Sequence, residues 1–133
     1  MDFLPTGIVN FLVYFASALV AEGVFLLIYL RITPHNEFKL IRAGNVAAAI
    51  SLGGAVLGFT LPLASTIAHS VSLHDMIAWS VVALVAQLVV FVVLSLAFRD
   101  LSRRITDDDR AAGTTLAVTS LTIGVLNAAC LTY

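Results

Sequence analysis

The stretch ALVAEGVFLLIYLR, residues 18–31, carries one carboxylate, Glu22, in a run that is otherwise uncharged until Arg31. The run extends back to about residue 8, long enough to cross a bilayer, since a helix needs roughly 20 apolar residues to span ~30 Å of hydrocarbon. The rest of the chain has the same character. Of 133 residues, 60% are hydrophobic and 11% charged, and the mean hydropathy is +1.03, far from the balance of a soluble domain. The composition is that of an integral membrane protein, and the sparse charge excludes a nucleic-acid surface.

Further apolar runs at about 40–68, 76–98 and 111–131 bring the expected spans to four and leave no length for a soluble domain. The N-terminal run lacks the basic region of a signal peptide and reads as a retained helix. Arg31, Lys39, Arg42, Arg99, Arg103, Arg104 and Arg110 all lie in or beside the first and third connections, whereas HSVSLHD between spans two and three has no Lys or Arg. By the positive-inside rule the two basic connections are cytoplasmic and both termini periplasmic.

The spans also repeat. ALVAE at 18–22 recurs as ALVAQ at 83–87, placing Glu22 opposite Gln87, and spans two and four match at an offset of 69, Gly44 with Gly113 and Ser51 with Ser120 among the pairs. These matches predict an all-α polytopic membrane domain over 1–133, built as two pseudo-symmetric helical hairpins, 1–69 and 76–133. Each has an even number of spans, so both enter the membrane the same way and their topology is parallel. Small residues at helical spacing, with Gly54, Gly58, Gly113 and Gly124 the sharpest, mark faces where backbones approach closely. Packing of span two on span four is the favoured reading of that stripe, ahead of a homodimer interface. Pro62 is expected to kink span two and free a carbonyl.

Glu22, Asn45, Gln87 and Asn127 are the embedded polar candidates. Glu22 lies nine residues from Arg31, ~13 Å along a helix, too deep to snorkel. An ionised carboxylate there is expensive, so the group is expected either to be neutral or to face a hydrogen-bonding interior. It could carry protons, hold a cation, or simply bond between helices.

RITPHNEFKLIRAGNVAAA, AWSVVALVAQLVVF and the terminal NAACLTY together make the chain resemble the YjfL family of small four-helix bacterial inner-membrane proteins, grouped under a domain of unknown function. The resemblance covers essentially the whole chain. It implies a bacterial inner membrane and a duplicated hairpin, with no activity attached. Some relatives lie beside genes for envelope-stress proteins of the phage-shock type, so it also implies, by association, a stress-linked role and such a partner. Asn45, Gln87 and Asn127 are family-like positions; Glu22 departs from the pattern, where the first-span slot can be apolar.

In the Thr33-Pro34-His35-Asn36-Glu37 stretch, Thr33 suits an N-cap and Pro34 a first helical position, so span two is expected to begin in the cytoplasm with His35, Asn36 and Glu37 exposed on its first turn. An exposed His beside a carboxylate could meet a metal or a partner, but a helix start is the favoured reading. TDDDR, just before span four, complements the positive end of a helix dipole. His69, His74 and Asp75 have no tight ligand spacing, and the single Cys130 reads as a packing residue. Trp79 reads as an interfacial anchor.

No catalytic motif is present, so a non-enzyme without cofactor or metal is expected. Two functional expectations follow: a structural or stress-linked membrane component acting through partners at its cytoplasmic loops, or a small transport or channel unit, oligomeric and most simply dimeric, with Glu22, Asn45, Gln87 and Asn127 along a polar path. A tightly packed interior with exposed loop residues favours the first, and a water-connected Glu22 the second.

Overall fold

The computed structural model describes residues 3–33, 36–98 and 100–131. Those residues form six helices joined by short connections: α1 (Phe3–Ile32), α2 (Glu37–Arg42), α3 (Val46–His69), α4 (Leu73–Ala97), α5 (Leu101–Thr106) and α6 (Arg110–Cys130). The four long helices, α1, α3, α4 and α6, are each apolar and long enough to cross a membrane. At 30 residues, α1 reaches ~45 Å, more than the hydrocarbon thickness.

Span two differs from its expected form. The run from residue 40 to 68 is broken at residues 43–45, because Gly44 takes the left-handed backbone (φ 88°) and Asn45 is extended. The N–H of Gly44 donates to the Ile41 carbonyl and that of Asn45 to the Leu40 carbonyl, a Schellman closure of α2. Asn45 then opens α3 by accepting from the Ala48 N–H at 2.8 Å. The expected Thr33 cap is also corrected. Its hydroxyl donates to the Tyr29 and Leu30 carbonyls, closing the end of α1, while Asn36 caps α2 by accepting from Lys39 N–H. Pro34 and His35 lie outside the described residues.

The second connection repeats this turn. Asp108, the sole described non-glycine residue with positive φ (59°), stands where Gly44 stood. Its N–H donates to Ile105 O, that of Asp109 to Arg104 O, and Asp109 then caps α6 through Ala111 and Ala112 N–H. The two turns therefore correspond at an offset of 64, not the 69 at which the apolar identities align. An Asp tolerates the left-handed region better than most residues.

The core is the pair α3 and α6. A Cβ on Gly54 would collide with Ala117, one on Gly113 with the Ala47 backbone, and one on Gly124 with the Gly58 carbonyl. That last carbonyl is the one Pro62, within α3, cannot bond, since proline has no N–H to return to residue i−4. In hydrocarbon such close backbone approach, rather than apolar burial, holds helices together. By contrast, α1 is held at one half only. Phe25 stacks on Phe59 (4.8 Å) and Tyr29 packs edge-on to Phe91 (4.8 Å), whereas Ile8, Val9, Phe11 and Leu12 are exposed.

Candidate functional site

The polar residues fall into three places. At the end carrying the basic residues, the two turns interlock. The Asn45 side-chain amide donates to the carbonyls of Ile105 (2.9 Å) and Thr106 (3.1 Å) at the close of α5. In return Asp108 accepts from Ala47 N–H (2.9 Å) in the first turn of α3. Each connection thus satisfies helix-end groups of the other, which would otherwise lack partners. Arg104 Nε donates to Asp109 at 2.9 Å. That hydrogen bond, with those from Ala112 and Ala111, holds the Asp109 carboxyl below its ordinary value and the Arg104 guanidinium above its own. Arg31, Lys39, Arg42, Arg103 and Arg110 are exposed around this unit; Arg99 lies outside the described residues.

Glu37 corrects its expected exposure: it is 1% exposed and faces the hydroxyl of Tyr29, itself buried in the aromatic cluster. A carboxylate at the N-terminus of α2 meets the positive end of that helix, and the fold of α2 back onto α1 brings it over Tyr29. No sequence pattern marks this pairing, because it depends on how the 43–45 break aims α2.

At mid-depth, Gln87 of α4 donates to the Ser120 carbonyl of α6 at 2.9 Å, beside Gly58. Asn127 of α6 donates in the opposite sense, to Ala83 O of α4 at 3.3 Å. The two amides form rungs between α4 and α6. Glu22 is elsewhere, between α1 and α3, where its Oε2 accepts from Thr60 Oγ1 at 3.1 Å. Glu22 Oε1 and Gln87 Oε1 are buried without a hydrogen-bond partner among the described residues.

The four embedded candidates therefore do not meet. Asn45 belongs to the turns, Gln87 and Asn127 to the α4–α6 seam, and Glu22 to the α1–α3 seam. Gly54, Gly58, Gly113 and Gly124 lie together along α3 and α6. Among the described residues no group of three His, Cys, Asp or Glu side chains could hold a metal ion.

Comparison with known proteins agrees with this architecture. The chain is 40% identical over 127 residues to the UPF0719 inner membrane protein YjfL of Escherichia coli strain K12, with 96% of each chain covered. It is 30% identical over 119 residues to the UPF0719 transmembrane protein YshE of Bacillus subtilis strain 168, covering 84% of this chain and 85% of that one. No solved structure matches. The family described as Domain of Unknown Function (DUF350) matches residues 3–131, and with four helices fit to span a bilayer, this chain belongs to that family of multi-pass membrane proteins.

Proposed function

We propose that the chain is a structural component of the bacterial inner membrane, not an enzyme, that holds a partner at its basic end. The interlock of Asn45 and Asp108 carries the reading. It ties the turn after α2 to the end of α5 and the turn after α5 to the start of α3, with exposed Lys39, Arg42, Arg103 and Arg110 around them. The positive-inside rule puts these turns in the cytoplasm and both termini in the periplasm. The exposed basic residues suit an acidic surface on that partner, a cytoplasmic or envelope-stress protein.

A photo-crosslinking amino acid at Lys39 or Arg103, in cells, tests this. One discrete heterologous adduct, absent when the probe sits at exposed Val71 on the far side and lost on Arg42→Glu, is the expected result. Adducts with lipid alone, or none, overturn it.

A second reading, a small oligomeric unit that conducts protons or another solute, is favoured by Glu22. Its carboxyl sits in the loosely packed α1–α3 seam with one oxygen unpartnered, an arrangement rare within a membrane unless functional. Liposomes loaded with a pH-sensitive dye and given a potassium diffusion potential test it. Proton entry above that of empty vesicles, lost in Glu22→Gln, establishes conduction; wild type as tight as empty vesicles removes the proton version.

A further inference from the structure

All four long helices meet at one small cavity, lined by Phe25 and Tyr29 of α1, Ala55 of α3, Gln87 and Phe91 of α4, and Ser120 of α6. It has about 10 Å³ of room for the centre of a water molecule. We propose that the cavity is a binding site for one water molecule, which donates to Gln87 Oε1 and to the hydroxyl oxygen of Tyr29 and so joins α1 to α4. This inference rests on neither functional reading above.

Two buried acceptors call for a donor here. The Gln87 Nε2 donates to the Ser120 carbonyl, and a carbonyl can only accept, so the network itself assigns Oε1 to the other end of the amide. Gln87 is 4% exposed, and its Oε1 has no hydrogen-bond partner among the described residues. Tyr29 is 1% exposed, and its oxygen is likewise without a hydrogen-bond partner there. The phenol proton has the Glu37 carboxyl to face, which leaves the oxygen's lone pairs for a donor from elsewhere. Buried polar atoms without partners are unfavourable, and within a bilayer no bulk solvent is at hand to serve them. Size and chemistry select the donor. Cavities that stay dry are apolar, whereas one with space for a water and two or more polar partners holds it. No residue lining the cavity is charged, as a cation would require, and larger solutes do not fit. The water also supplies what the aromatic packing of Phe25 and Tyr29 lacks, a polar tie from α1 to the seam of α4 and α6.

Gln87 is the one glutamine of the chain, so isotope labelling of glutamine side-chain nitrogen gives a single NH2 pair in the NMR spectrum. With the full protein in phospholipid nanodiscs, that pair is expected to show cross-relaxation with water, of the sign given by a long-held molecule rather than by mobile solvent. Tyr29→Phe removes one of the two acceptors and shortens the residence of the water about fivefold, the loss of one neutral hydrogen bond, with the cross-peak still present. Val90→Ile adds a methyl group at the lining and abolishes the cross-peak, while Val89→Ile, on the exposed face of α4, leaves it unchanged. Circular dichroism shows whether each variant folds, and Tyr29→Phe, which only removes an oxygen, carries the test if Val90→Ile does not fold. Absence of cross-relaxation in the wild type overturns the proposal, as does a cross-peak indifferent to both Tyr29→Phe and Val90→Ile. Complete loss in Tyr29→Phe also overturns it, since the signal then came from the phenol proton.

Discussion

The side-chain amide of Gln87 reaches across from α4 to the Ser120 carbonyl of α6 at 2.9 Å, and Gly58 of α3 leaves the space through which it passes. Three helices thus meet at one amide. Interhelical hydrogen bonds in bilayers contribute modestly, so Gln87→Leu should destabilise the bundle by about 1 kcal/mol. Gly58→Val should cost more, since its side chain meets both the amide and the Ser120 backbone. Reversible unfolding in mixed micelles checks the order; a Gln87→Leu protein as stable as wild type would mean that the bond adds nothing net.

Gly124 faces the Gly58 carbonyl that Pro62 leaves without a helical donor. Overpacking at so close a contact should make Gly124→Ala lose about 2 kcal/mol. Replacing Pro62 with Ala restores the donor inside α3 and draws that carbonyl back into its own helix. The double variant Gly124→Ala/Pro62→Ala should therefore lose less than the two single losses combined. Strict additivity in a double-mutant cycle would show the two positions to be independent.

Asn45→Ala removes both the cap of α3 and the bonds to Ile105 and Thr106, an expected loss of about 2 kcal/mol. Asn45→Asp retains the cap acceptor but turns a carboxylate oxygen towards the Ile105 and Thr106 carbonyls, so its cost should fall on the α5 side. Hydrogen exchange separates the two roles: with Asn45→Asp the first turn of α3 stays protected while the α5 end becomes faster. Equal protection of α5 in all three proteins would contradict the interlock.

Asp109 gives a dependence on pH. Its folded-state carboxyl is held below the ordinary value of 3.8 by the Arg104 hydrogen bond first and the Ala112 N–H next. A group lowered in this way adds stability that is complete above its unfolded value and is lost as pH falls through its folded one. The cap at Ala111 and Ala112 should therefore survive acidification past the range in which free carboxylates protonate. Arg104→Ala should move its opening to higher pH. Amide protection at these two residues through an acid titration checks the sign, and an unshifted midpoint in the variant would rule out the pairing as the cause.

The long helices were legible in the sequence because hydropathy reports length and polarity directly. The break at residues 43–45 was masked by the same measure, since Gly44 and Asn45 sit at the start of an apolar run and hydropathy carries no backbone angle. The local signal existed: Gly followed by Asn is a C′ residue followed by an N-cap. Apolar identities drew the repeat to an offset of 69, five residues from the 64 that aligns Gly44 with Asp108, because a small apolar alphabet matches itself in many registers. The burial of Glu37 over Tyr29 was not readable, as it arises from the tertiary placement of α2.

The pairing of α3 with α6 also has a consequence for biosynthesis. Helix α3 ends at residue 69 and its partner ends at residue 130. At a translation rate of ~5–20 residues per second, the partner is complete roughly 3–12 s later. Through that interval the glycine face of α3, and the Gly58 carbonyl with it, has no α6 to pack against. Slowing elongation ahead of α6 would lengthen the time during which the nascent chain is open to proteolysis.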